Sequence, residues 1–180
     1  MVKLTSVLSL ASLAFFAVAT PVKRDMATIQ ADIRNISSLL VTWDNAVNAF
    51  SGTTKGASAI HSGAVALESA FDKGIKDTQA TSNLTTDMDG LLLLGQMENS
   101  STILVGGLTQ IAEKRADFVK INGTNAVIAD LNTLAAAATG FIGAIGDIIT
   151  DAGVVAQATQ FQTTWAAAFG DAISDLQTGL

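Results

Sequence analysis

Between Met26 and Phe50 the apolar residues Ile29, Ile33, Ile36, Leu40, Trp43, Val47 and Phe50 recur at alternating steps of four and three. That period places all seven on one face of an α-helix, whereas in a strand it would scatter them over both faces. It predicts one amphipathic helix ending near Ser51-Gly52, roughly 37 Å long at about 1.5 Å per residue. Nothing downstream interrupts the same habit, because the single proline, Pro21, precedes it and the chain has no cysteine and no tyrosine. A chain rich in Ala, Leu and Ile with so few helix stops and so little sheet-forming aromatic material is expected to be all-α.

Further stripes follow. Ile60, Ala64, Leu67, Phe71 and Ile75 mark a second helix that closes before Thr81-Ser82-Asn83. Thr85 or Thr86 can cap a third, with Asp87 and Asp89 in the first turn, where the helix dipole favours negative charge. Met88, Leu91, Leu92, Leu93, Leu94 and Met97 wrap around more than one of its faces, which predicts deep burial. Glu98-Asn99-Ser100-Ser101 reads as a break, after which Ile103, Leu104, Leu108, Ile111 and Phe118 continue toward Asn122-Gly123. Val127, Leu131, Leu134, Ala138, Phe141, Ile145 and Ile148 or Ile149 outline another helix, and Ala158, Phe161, Trp165, Phe169, Ile173 and Leu176 the last. Short connections between long amphipathic helices predict a single-domain antiparallel bundle of about five helices.

The first residues follow a different logic. Met1-Val2-Lys3, an apolar run from Leu4 to Val18 and the small-residue triplet Ala17-Val18-Ala19 have the layout of a signal peptide, residues 1–19. The run is shorter than the ~20 residues a membrane span needs. Lys23-Arg24 then ends a short pro-segment, 20–24, at a dibasic processing site, leaving 25–180 as the folded domain. An extracellular protein with no transmembrane segment in its mature chain is therefore expected. That domain has seven basic against sixteen acidic residues, a net charge of −9 with His61 neutral. Nucleic acid and anionic headgroups both call for a cationic face, so neither is an expected partner.

Chemistry-bearing motifs are sparse. His61 is the sole histidine and no cysteine can join it, so no metal site and no cofactor is predicted, and any Ser-His-Asp triad would have to use this one imidazole. Gly52-Thr53-Thr54-Lys55-Gly56 lacks the spacing of a phosphate-binding loop. Four N-glycosylation sequons begin at Asn35, Asn83, Asn99 and Asn122, the last three at expected helix breaks, where an acceptor is accessible. Gly140, Gly143 and Gly146 recur every third residue within a helix, either to bring another helix close or to form a wall along which an apolar chain could lie. About half of the residues are hydrophobic and only 14% charged. Such a bundle has a large core, an apolar cavity or apolar patches that touch something.

The Thr20-Pro21-Val22-Lys23-Arg24 junction, the opening helix with Ile33, Leu40, Val47 and Phe50, the Leu91-Leu92 and Leu108-Ile111 segment leading into Lys114-Arg115-Ala116-Asp117-Phe118, and the Phe161, Trp165 and Phe169 ending together resemble one family. It is the fungal hydrophobic surface binding protein A and cell-wall galactomannoprotein group, and the resemblance spans residues 25–180. The resemblance implies a secreted or wall-associated protein without catalytic activity that adsorbs to hydrophobic solids and helps to recruit polyester- or cutin-degrading hydrolases. The alternatives to that role are a carrier of long-chain lipids, as in relatives that look like fatty-acid binders with a lipid between their helices, and a structural wall mannoprotein. A lipid tunnel would be lined by residues such as Leu92, Ile111, Phe118, Phe141, Ile145 and Trp165, with Lys114 and Arg115 as cations at its mouth. Longer relatives carry a Ser/Thr-rich stalk and a lipid-anchor signal, whereas Asp171 to Leu180 has no apolar tail, so release rather than covalent wall attachment is expected.

Overall fold

The computed structural model describes residues 26–84 and 86–178, all of them helix or short connection; the leader, the pro-segment, Asp25, Thr85, Gly179 and Leu180 lie outside the described residues. Six helices follow one another: α1 (Met26–Ala49), α2 (Thr54–Gln79), α3 (Asp87–Glu113), α4 (Arg115–Lys120), α5 (Thr124–Ile148) and α6 (Ala152–Gln177). Five are long and α4 is a single short segment. The starts of α2, α3 and α6 are built by side chains that satisfy first-turn amides. Thr53 accepts from the Gly56 amide at 3.1 Å, Thr86 from Asp89 at 3.3 Å and Asp151 from Val154 at 2.8 Å. Between α1 and α2 the chain reverses through Gly52 at φ +75°, a conformation glycine adopts without a Cβ clash.

The helices form a ring in the order α1, α2, α5, α6, α3 and back to α1. Residue pairs across each seam fix the directions. Lys73 near the end of α2 reaches Asp32 near the start of α1, so these two are antiparallel; Gln162 bonds the Thr139 carbonyl and Gly146 faces Ala158, so α5 and α6 are too. The other three seams run parallel. His61 meets Asp130 while Gly74 meets Phe141 across α2 and α5; Ser37 meets Ser100 while Lys114 reaches Phe50 across α1 and α3; Gly90 meets Val154 while Trp165 meets Ser101 across α3 and α6. Consecutive long helices alternate in direction, but α3 packs against neither α2 nor α5 as a principal neighbour. The α2–α3 connection instead crosses the end of the bundle, where buried Leu84 donates its amide to the Ile148 carbonyl at 2.7 Å.

Each stripe faces inward. Trp43, Trp165, Phe71, Phe118, Phe141 and Phe169 are the largest fully buried side chains. Phe71 contacts Phe141 and Trp165 with ring centroids 5.9 and 6.0 Å apart, and Phe50 stacks on Phe118 at 4.3 Å. Each such side chain contributes about 1.5–3 kcal/mol by leaving water. Among the described residues α5 is the one helix long and apolar enough to cross a membrane. Here its apolar face, including Leu131, Leu134, Phe141 and Ile145, is buried inside the ring.

Two expectations fail locally. The break at Glu98-Asn99-Ser100-Ser101 is absent, and α3 runs through it. Its serines serve as interhelical partners: the Ser100 hydroxyl lies 2.5 Å from that of Ser37, and Ser101 accepts from Trp165 Nε1 at 2.9 Å. The actual interruption falls later, at Lys114, between α3 and α4. The start of α3 is also less buried than its leucines suggested. Leu93, Leu94 and Met97 face the core, while Met88, Leu91 and Leu92 are 71%, 40% and 49% exposed.

Candidate functional site

Where α3 ends and α4 begins, the outer surface between α3 and α6 opens into a groove of about 1110 Å³. Val105, Leu108, Thr109, Ala112 and Glu113 line it from α3, Arg115, Ala116 and Val119 from α4, and Thr163, Thr164, Ala167, Ala168, Asp171, Ala172 and Asp175 from α6, with Thr178 just beyond. From Thr163 to Thr178 it follows α6 for about 22 Å at the helical rise. Leu108 and Ala172 are buried in its floor. Alanine and threonine on both walls are too small to fill the space between the two helices, which is why a groove exists there.

The basic pair expected at a ligand mouth divides its labour. Lys114 Nζ donates to the Phe50 carbonyl at 2.8 Å and to that of Asn48 at 3.3 Å, closing the open end of α1. Arg115 lines the groove, and its buried Nε has no hydrogen-bond partner among the described residues. The groove's acids are Glu113, Asp171 and Asp175, and none forms an ion pair with Arg115.

The six apolar residues proposed to line a tunnel lie elsewhere. Ile111, Phe118, Phe141, Ile145 and Trp165 are buried in the core, and Leu92 stands on the exposed face of α3. None lines the groove. Helical periodicity separates inside from outside, but it marks filled space and an unfilled groove differently: strong apolar residues fill, and small ones leave room. The Gly140, Gly143 and Gly146 row follows the packing alternative, since a Cβ at Gly140 would lie 3.3 Å from Ile75 of α2, one at Gly143 3.3 Å from Gln162 and one at Gly146 3.8 Å from Ala158 of α6.

Two polar clusters lie outside the groove. Lys73 donates to Asp32 and, at 2.8 Å, to Asp77. Both carboxylates are buried, and the hydrogen bonds to Asp32 first and to Asp77 next raise the Lys73 pKa above its ordinary 10.5. His61 Nδ1 lies 3.0 Å from both Asp130 oxygens, the orienting half of a triad. Among the described residues no serine bonds its other nitrogen, and Ser62 turns instead to the Ser58 carbonyl.

The sequon asparagines Asn35, Asn83, Asn99 and Asn122 are all exposed. Asn122 sits in the α4–α5 turn at φ +54°, and Asn83 in the α2–α3 connection. Asn35 and Asn99 lie within helices, where the sequon hydroxyls of Ser37 and Ser101 are engaged in the bonds described above.

Residues 26–147, from the start of α1 to the last turn of α5, match the family described as hydrophobic surface binding protein A. The chain belongs to that family. Among solved structures, this family member is similar to AfMP4p in complex with palmitic acid, at 27% identity and TM-score 0.81, over 85% of this chain and all of that one. It shares the fold of ligand binding domain 1 of Penicillium marneffei MP1, solved with arachidonic acids, at 17% identity and TM-score 0.79, over 85% of this chain and 99% of the other. Domain 2 of the same protein aligns at 19% identity and TM-score 0.78, over 88% and 99%. No curated protein sequence matches the chain.

Proposed function

We propose that this protein is a secreted, non-enzymatic carrier that holds one long-chain lipid in the groove between α3, α4 and α6. The observation that carries the reading is the groove itself: an elongated, apolar-floored channel beside a core already filled by its own aromatic side chains. Burying a chain there contributes about 0.8 kcal/mol per methylene. Likeness to AfMP4p, solved with palmitic acid, supports the ligand class. Arg115 supplies a cation for the polar head. The leader pattern in residues 1–19 supports export, and Asn83 and Asn122 are the sequons best presented for glycosylation.

Ala167 is exposed on the groove wall, so Ala167→Phe fills the channel without touching the core. Isothermal titration with palmitate is expected to show binding to the parent and loss in the variant at unchanged melting temperature. Equal binding by both would refute the groove as the site.

The exposed Met88, Leu91 and Leu92 favour a second reading, adsorption to hydrophobic solids through the start of α3, with hydrolase recruitment as its downstream role. The family description supports it. In that reading Met88→Lys with Leu92→Lys lowers adsorption to polyester particles; retention equal to the parent would remove it. Covalent attachment to a wall and a purely structural mannoprotein role rest on no geometry of the bundle.

A further inference from the structure

The groove's charges are odd for a fatty-acid site. Its charged lining consists of one cation, Arg115, and three anions, Glu113, Asp171 and Asp175. Asp171 and Asp175 are one turn apart on the same helix, a like-charge spacing that disfavours the helix unless something positive lies between them. Both are near the C-terminal end of α6, and Glu113 is the last residue of α3, so the carbonyl ends of two helices add to the negative potential. Neither helix has a basic residue in its last turn. Arg115, meanwhile, lines the same groove with its buried Nε unpartnered.

We infer that the lipid this groove selects is a single-chain amphiphile with a zwitterionic head, a phosphate ester bearing an ammonium group. The inference rests on the lipid reading above and specifies its head group. A free carboxylate answers Arg115 but meets three like charges. A long-chain amine answers the acids and leaves the guanidinium unpaired. A phosphate-ammonium head answers both: the planar guanidinium donors suit phosphate oxygens, and the ammonium sits among Asp171, Asp175 and Glu113 at the negative helix ends. One acyl chain, not two, fits a channel walled by two helices and following one of them for about 22 Å.

The experiment is titration calorimetry of the purified protein with palmitoyl lysophosphatidylcholine, palmitate and hexadecylamine, each below its micelle threshold. Lysophosphatidylcholine is expected to bind about tenfold or more tighter than either single-charge ligand, the scale of one rim charge contact. Asp171→Asn with Asp175→Asn should erase that preference over palmitate, and both positions are exposed, so folding is checked by an unchanged melting temperature. Arg115→Met should weaken both phosphate and carboxylate ligands. Palmitate binding as tightly as lysophosphatidylcholine, or a preference unmoved by the double Asn variant, overturns the head-group assignment and leaves the carrier reading standing. Binding of none of the three overturns both.

Discussion

Gly106 and Gly107 are neighbours in α3 with opposite surroundings, and replacing each by alanine tests how tightly the ring is closed. A Cβ on Gly106 meets nothing within 4 Å. A Cβ on Gly107 would lie 2.8 Å from Trp43 Cζ3 and 3.3 Å from Asp44 Oδ1. Trp43 has little room to retreat, because on its other side it lies against the Gly63 backbone of α2, so closely that a Cβ added there would be 2.9 Å from Trp43 Cδ1. Both substitutions gain the same helix propensity, about 0.8–1 kcal/mol. Only Gly107→Ala incurs the overpacking, typically about 1–3 kcal/mol. Gly106→Ala should therefore stabilise by about 1 kcal/mol, while Gly107→Ala should be neutral or destabilise by up to about 2 kcal/mol. For a domain of this size a difference of 2 kcal/mol corresponds to about 4–8 °C between the two melting temperatures. Thermal unfolding followed by circular dichroism reads it directly. If Gly107→Ala melts as high as Gly106→Ala, Trp43 is not wedged between α2 and α3, and the core has slack in which an apolar ligand could lodge instead of in the outer groove.

Other outcomes follow from single contacts. Because pairing with Asp32 and Asp77 raises the Lys73 pKa above 10.5, its stabilisation is complete below that value and is lost as pH climbs through the raised one; the stability gap between the parent and Lys73→Met, measured by urea unfolding, should be constant near neutrality and narrow at strongly alkaline pH. Trp165→Phe removes the Nε1 donor to Ser101 together with some packing area and should cost about 1–3 kcal/mol; a shift below 0.5 kcal/mol would mean that the α3–α6 hydroxyl contact is dispensable. Phe141→Ala, in the aromatic cluster, should cost about 3–5 kcal/mol, whereas Leu92→Ala on the exposed face should stay within about 0.5 kcal/mol.

Periodicity made the long helices legible, since Ile29 through Phe50 and Val127 through Ile148 occupy inward faces as their spacing requires. Thr86, Asp87 and Asp89 marked the start of α3 for the same reason: capping chemistry is local. What stayed hidden was nonlocal. A stripe states that a face is buried, not against which helix, so the parallel α1–α3, α2–α5 and α3–α6 seams carried no signature. Ser100 and Ser101 read as a break because serine competes for the backbone in isolation, but across a helix seam it finds partners instead. The groove was hidden most thoroughly: Ala112, Ala167, Ala168, Thr163 and Thr164 define it by what they fail to fill, and small residues leave no hydrophobic signal.

The order of the ring has a mechanical corollary. The α1–α2 and α5–α6 pairs are each tied by a tight reversal, so neither can part without breaking its turn. No such turn joins α3 to either neighbour, because its tethers run across the bundle end to α2 and through α4 to α5. It is the loose stave of the barrel. Hydrogen exchange should find α3 to be the long helix whose amides open at the lowest free energy.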